Sequence, residues 1–185
     1  MAHWYSADPH FGHDNIIKLC DRPFCSIGEM DAVIRANYAS CIGPDDDFWI
    51  VGDLSFGRTS SEKGYLEKLF RTLPGRKHLV LGNHDNSRIR NLPWASVQDI
   101  AEVQDGEHRF VLCHYPMITW HGARRGALQL FGHVHGNWDG TRNSLNVGVD
   151  VWNFMPVRAR DIVARAETLP VNVYWEKVEP RADLR

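Results

Sequence analysis

The sequence predicts an α/β fold, and three observations carry the prediction. Apolar strand-like runs alternate with amphipathic helical stretches through the first half of the chain. The second half is rich in strand-like runs with few helical segments between them. Short clusters of Asp, Asn and His follow directly on several of these strands, which is where open α/β architectures bind their ligands.

The first strand is Trp4 to Ala7, and Pro9 must end it because proline brings no N–H to a sheet ladder. Ser26 with Glu29 three residues later is a capping-box signature. Behind it Ile27, Met30, Val33, Ile34, Tyr38 and Cys41 recur at three- and four-residue intervals, an amphipathic helix. Phe48-Trp49-Ile50-Val51 reads as a buried strand stopped by Gly52-Asp53, and a second helix runs from about Glu62 to Leu73, ended by Pro74-Gly75. His78 to Leu81 is the next strand, closed by Gly82-Asn83. Five further strands are expected at Val97 to Val103, Arg109 to Cys113, Leu128 to Phe131, Leu145 to Val151 and Val171 to Val178, with a short helix at Asp161 to Ala166.

With 185 residues, 43% hydrophobic and 24% charged, the chain has the composition of an ordinary globular protein. That excludes intrinsic disorder and collagen-like architectures. No internal repeat or flexible linker argues for a boundary, so one domain over 1–185 is expected. No apolar run approaches the ~20 residues of a membrane span, and the N-terminus lacks the basic-then-apolar pattern of a signal peptide. The net charge of −2 gives no global attraction to nucleic acid or membranes. Cys20, Cys25, Cys41 and Cys113 form no C-x-x-C pair, which reads as reduced thiols of a cytoplasmic protein.

The chemistry concentrates in five blocks, Asp8/His10, Asp53, Asn83/His84, His114 and His133/His135. Any one of them alone is a polar turn after a strand. Together they supply oxygen and nitrogen donors suited to Mn, Fe, Co, Ni or Zn, without the thiolates of a structural zinc site. Residues two apart on extended backbone point to one side, so Asp8 with His10, and His133 with His135, can serve one cavity. Gly52, Gly82 and Gly132 precede the donors, where glycine permits positive φ and close backbone approach.

The ordered set D-x-H, G-D, G-N-H-D, a lone His after a strand, and G-H-x-H resembles the calcineurin-like metallophosphoesterases. All five blocks stand in order between positions 8 and 135. The start Asp-Pro-His-Phe-Gly-His-Asp-Asn-Ile-Ile and the later Leu-Asn-Val-Gly-Val-Asp-Val-Trp are similar to compact stand-alone members found in bacteria and phages. The resemblance implies a four-layer α/β/β/α sandwich of two mixed sheets flanked by helices. It also implies two divalent metal ions, Mn favoured and Fe, Zn, Ni or Co also suited. Asp8, His10 and His135 would hold the first and Asn83, His114 and His133 the second, with Asp53 bridging. His84 would contact a phosphate oxygen or protonate the leaving group, and Asp85 would orient His84 or its loop. The activity implied is phosphoester hydrolysis by attack of a metal-bridging hydroxide.

No insertion is long enough for a lid domain, and an open groove favours diesters, a nucleotide or a strand end among them, over monoesters. His13 and Asn15 are candidate substrate contacts beyond the first ligand pair, against a turn residue and a helix cap. Arg124 and Arg125, in the loop between His114 and His133, are candidate phosphate contacts, against a solvated loop. Arg58 is a further phosphate candidate, and Asn146 and Asp150 are candidate supports of the ligands or strand-end turn residues. Asp45-Asp46-Asp47 reads as a solvated turn, and His3, His78 and His108 as surface or packing histidines. Two other functions compete. A nuclease would use a local patch of Arg88, Arg90, Arg124 and Arg125, and a scaffold would bind metal without turnover.

Overall fold

The computed structural model of the protein describes residues 1–178. Residues 179–185, the end of the single domain expected over 1–185, lie outside that description. Two sheets form the centre. The first contains β1 (His3–Ser6), β2 (Asp47–Val51), β3 (Arg76–Val80) and β4 (Ser96–Gln98), in that spatial order and parallel throughout. The second contains β5 (Ile100–Asp105), β6 (His108–Cys113), β7 (Leu128–Phe131), β8 (Gly140–Thr141) and β9 (Ser144–Asn146), in the order β5-β6-β7-β9-β8. This second sheet is mixed, with β6, β7 and β9 parallel and both edge strands antiparallel.

Parallel neighbours need long crossovers, and helices supply them. Between β1 and β2 run α1 (Ile16–Leu19) and α2 (Ile27–Cys41), and between β2 and β3 run α3 (Gly57–Ser60) and α4 (Tyr65–Thr72). The single turn α5 (Ser87–Arg90) leads to β4, and α6 (Ala159–Thr168) and α7 (Trp175–Val178) follow the second sheet. Ser26 caps α2 by accepting from the Glu29 N–H at 3.2 Å, while the Glu29 carboxylate takes the Cys25 N–H at 2.7 Å, so the reciprocal bond lands one residue earlier than a capping box places it.

The alternation in β2 shows where the layers lie. Phe48 and Ile50 pack with Met30, Ile34, Tyr38, Leu66, Leu69 and Phe70 of α2 and α4. Trp49 and Val51 face the other way, among Val103, Phe110, Leu112 and Leu130 of the second sheet and Ile162 of α6. Both faces of β2 are therefore buried, which is why its sequence is a continuous apolar run. Each large apolar side chain buried in these layers stabilises the fold by about 1.5–3 kcal/mol. The outer face of the second sheet is covered by the loop carrying Trp120, Ala123 and Ala127, with Trp175 against it.

Three expected strands differ. Val97 to Val103 is two strands in different sheets, because the chain crosses from one sheet to the other at Asp99. Leu145 to Val151 keeps its ladder with β7 only to Asn146, with one isolated bridge from Gly148 to Ala7; the Asn146 side chain accepts the Gly148 N–H at 2.7 Å and the backbone enters a short 3-10 turn at Val149–Val151. Val171 to Val178 is a turn followed by α7: Val171, Val173, Tyr174 and Val178 are exposed, and Asn172 caps a turn by accepting the Tyr174 N–H at 3.0 Å. The second helix starts at Tyr65 rather than Glu62, behind Gly64 in the left-handed region at φ 77°. Asp47 is not part of a solvated turn: it is buried and bonds Arg76 and His78. The short helix expected at Asp161 to Ala166 is α6, and all four cysteines are unpaired.

Candidate metal centre

Because β1, β2 and β3 are parallel, the loops after them emerge at one edge of the first sheet. Asp8 follows β1, Asp53 follows β2, and Asn83 and His84 follow β3. In the second sheet β6 and β7 are parallel to each other and deliver His114, then His133 and His135. Backbone bonds join these loops. Asp8 N–H donates to Gly52 O at 3.1 Å, His10 N–H to Asp53 O at 3.1 Å, and Gly132 N–H to His114 O at 3.0 Å. Ala7 N–H donates to Val147 O at 3.0 Å, tying the first loop to the second sheet.

The three glycines are required by contact as much as by conformation. A Cβ on Gly52 would overlap the His114 ring, one on Gly82 the Asp53 carboxylate, and one on Gly132 the Asp8 carboxylate. Of the three only Gly52 has a positive φ, at 89°. The donor residues themselves take the left-handed conformation: Asp8 (φ 56°), His10 (51°), Asp53 (57°), His133 (71°) and His135 (49°). Such residues cost of order 1 kcal/mol or more each and cluster at functional sites. Their side-chain directions therefore come from left-handed backbone at five residues in three loops, not from extended i, i+2 pairs. His133 and His135 accordingly point to different partners.

One set of donors is Asp8, His10 and His135, whose ligand atoms lie within 4.8 Å of one another, and Asp8, Asp53 and His114 form a second such set. His10 Nε2 is 3.6 Å from Asp53 Oδ2, and His114 Nε2 is 3.4 Å from the same oxygen. Asn83 Oδ1 lies 3.1 Å from His114 Nε2 and 2.9 Å from His133 Nδ1. Donors on a tetrahedral ion with 2.0–2.1 Å bonds stand about 3.3 Å apart, close to these separations. Neighbouring groups fix the ring orientations. His114 Nδ1 is 3.0 Å from Val51 O and His135 Nδ1 is 2.9 Å from Asp150 Oδ2, which leaves Nε2 of each ring for the centre.

Burial and charge are mismatched without a cation. Asp8 Oδ1 and both ring nitrogens of His10 are buried with no hydrogen-bond partner among the described residues. Burial pushes the Asp8 carboxyl up to about 7, with His114 and His135 drawing it part of the way back. Burial lowers His10 to about 2. Burial would also raise Asp53, but the hydrogen bond and charge of His114 outweigh it and hold that carboxyl at about 2. His135 rises to about 10, burial being outweighed by its hydrogen bonds to Asp150 and Cys20. A buried carboxylate oxygen and a neutral imidazole, both without partners, are what a divalent cation satisfies, so the residues fit a metal.

His84 belongs to this centre through its backbone, whose N–H donates to Asp53 Oδ1 at 2.8 Å. Its ring stands 5.3 Å from that of His10 and 4.1 Å from Phe56. Asp85 is buried. Its carboxylate accepts the N–H groups of Gly82, Asp53 and Leu54 at 2.8, 2.9 and 3.1 Å, so it braces two ligand loops. His13 is brought to the centre, 5.3 Å from the His10 ring, and its buried Nδ1 has no partner among the described residues. Asn15 is not: it is exposed at the N-cap of α1, and its side chain caps nothing. Arg124 and Arg125 line a separate surface cavity with Trp120 and His121, where an Arg125 guanidinium nitrogen is 3.2 Å from His121 Nε2. Arg58 is exposed on α3, and Arg88 and Arg90 hold backbone carbonyls of Ser61 and Asp85.

Three residues at the centre carry no sequence signal that singled them out. Arg22 is buried and reaches Asp150 and the Asp8 loop. Phe56 and Tyr115 are 40% and 45% exposed although their rings stand against site histidines, Phe56 on His84 and His13, Tyr115 on His133 and His114. An aromatic placed directly after a ligand block, as Tyr115 follows His114, was the available hint.

No family model matches the chain. It is 29% identical over 168 residues to an uncharacterised protein of Methanocaldococcus jannaschii, covering 87% of this chain and 89% of that one. It is 27% identical over 183 residues to the gene 66 protein of Mycobacterium phage L5, covering 80% and 86%. Among solved structures it is similar to a protein of unknown function from Aquifex aeolicus, at a TM-score of 0.70 and 26% identity over 89% of this chain and 98% of that one. A phosphoesterase of E. coli superposes at a TM-score of only 0.42, with 18% identity over 80% and 78% of the chains, too loose a likeness to bear on function.

Proposed function

We propose that this chain is a binuclear, metal-dependent phosphoesterase of the calcineurin-like kind, acting on phosphodiesters. One observation carries the reading: His10 and His114, one from each donor set, stand 3.6 and 3.4 Å from the same oxygen of Asp53. Asp8, His10 and His135 would hold one ion and Asn83, His114 and His133 the other, with Asp53 shared. Two divalent ions, Mn favoured, would supply charge against a bound phosphate and lower the pKa of a water towards neutrality.

The chain's own residues would do the rest. His84, fixed by its N–H on Asp53, keeps its imidazole available to donate to a phosphate oxygen or to the departing alkoxide. His13 offers a second unpartnered nitrogen on the same side. Asp85 keeps the Asp53 and Asn83 loops in register by holding three N–H groups. Phe56 and Tyr115 present exposed ring faces beside different histidines, a surface for each of two ester arms, and this supports a diester with aromatic groups such as a nucleotide. A single domain in the cytoplasm fits four unpaired thiols and the lack, among the described residues, of a helix long and apolar enough to cross a membrane. Asn15, Arg124 and Arg125 take no part in this reading, and with Arg88 and Arg90 tied to backbone carbonyls no observation favours a nuclease patch.

The test is the initial rate on bis-p-nitrophenyl phosphate against p-nitrophenyl phosphate after chelation and reloading with Mn²⁺. Faster diester hydrolysis is expected. Preference for the monoester would replace the diesterase by a phosphatase. Inactivity on both with two ions bound would leave a metal-binding scaffold.

A further inference from the structure

Arg22 is the most deeply placed cation near the centre, with its side chain fully buried. Its guanidinium spans two loops far apart in sequence. Nε and one terminal nitrogen donate to the two oxygens of Asp150 at 2.7 and 2.9 Å, a bidentate fork. That same terminal nitrogen donates to Asp8 O at 2.8 Å, and the other donates to Pro9 O at 3.0 Å. Asp150 in turn lies 2.9 Å from His135 Nδ1. The chain of contacts thus runs from the backbone of Asp8 and Pro9, through one guanidinium and one carboxylate, to the ring of His135.

Every end of this chain is in the Asp8, His10, His135 set. None of Arg22's hydrogen bonds reaches Asn83, His114 or His133. The arrangement also decides what Asp150 does. Cys20, His135 and Asp150 have the spacing of a metal-binding group, yet both Asp150 oxygens are engaged by Arg22 and one also by His135. Asp150 is then an acceptor that aims His135, not a ligand. Lysine could not copy the fork, since its ammonium is a point charge without two parallel N–H vectors.

We propose that Arg22 is a positioning residue that assembles one metal site selectively, by locking the loop of Asp8 and His10 to His135 through Asp150. The inference rests on the binuclear reading above. Its test is equilibrium dialysis with Mn²⁺, read as ions bound per chain and their separate affinities, in the wild type and in Arg22→Lys and Asp150→Asn. Circular dichroism checks that each is folded. Supporting groups of this kind are worth 10–100-fold in metal affinity. Each variant is expected to weaken one of the two ions by that factor and leave the other unchanged. In an Asn83→Ala background, where the Asp8 site remains to titrate, the whole loss should persist. Should Arg22→Lys not fold, Asp150→Asn reads the same coupling with the volume kept. Folded variants that bind both ions like the wild type, or lose both equally, would overturn the proposal. A wild type that binds no divalent ion would instead overturn the binuclear reading itself.

Discussion

Asp8 and His10 are at most 1% exposed, whereas Asn83 and His133, across Asp53 from them, are open to solvent. Asp8 Oδ1 and the His10 nitrogens have no partner among the described residues, and this half is braced from behind by Arg22 and Asp150. The outer donors bond each other, Asn83 with His133 and His114, and water reaches two of the three. The difference teaches that the two ions would play unequal parts. Buried polar atoms without partners cost roughly 1–3 kcal/mol each, a penalty that the inner cation would remove on binding. Donors already hydrated or hydrogen-bonded gain less, so the outer ion should exchange readily and lie on the side from which substrate enters.

The largest effect should come from removing what both halves share. Asp53→Asn should lower occupancy at both sites together and reduce kcat/KM roughly 10³-fold, about 4 kcal/mol of transition-state stabilisation. Elemental analysis alongside the rate checks this. Full occupancy with normal turnover would take Asp53 out of the centre.

A contrast of single-site variants sharpens the comparison. At metal present at 100 times its Kd, an ion stabilises the folded chain by about 2.7 kcal/mol, which is roughly 5–10 °C in Tm for a chain of this size. His10→Ala should lose most of that metal-dependent gain, and Asn83→Ala should keep it. Differential scanning with and without chelator measures both, and equal losses would erase the distinction between the halves.

The smallest effect lies outside the centre and serves as its control. Burial would raise the Asp47 carboxyl, but hydrogen bonds from Arg76 and His78 outweigh it and hold Asp47 at about 2, below the ordinary 3.8. A depressed carboxyl contributes stability above the unfolded value that is lost as pH falls through the folded one. Asp47→Asn should therefore cost on the order of 1 kcal/mol at neutral pH, since Arg76 is half exposed and screened. The cost should vanish between about pH 4 and 2, with metal content unchanged. Urea titrations across that window read it, and a variant that loses metal would show that acid sensitivity is not local to Asp47.

Much of the fold was legible because the first sheet obeys local rules. Phe48 to Val51 is apolar on both faces because β2 is buried on both, and Ser26 begins α2 where its hydroxyl caps. Three of the five donor blocks were legible for a steric reason: Asp53, Asn83/His84 and His133/His135 each follow a glycine whose Cβ would strike a neighbouring donor. What escaped the sequence depends on contacts between distant segments. Nothing local to Val97 to Val103 says that Asp99 separates two sheets. The valine-rich stretch at Val171 to Val178 resembles a strand until the exposure of Val171, Val173, Tyr174 and Val178 is known. Arg22 is one arginine among many until Asp150 is seen beside it.

That last contact has a consequence for how the chain is made. Arg22 and Asp150 are 128 residues apart, and translation at roughly 5–20 residues per second separates their synthesis by on the order of ten seconds. Throughout that interval the first ligand loop exists without its clamp. For most of it Asp8 and His10 also lack His135, and to its end they lack the closed pocket, so a nascent chain would meet metal ions only through loose, exchangeable contacts. Selection among the cell's cations would fall after Asp150 has been added, when the last piece of the pocket arrives.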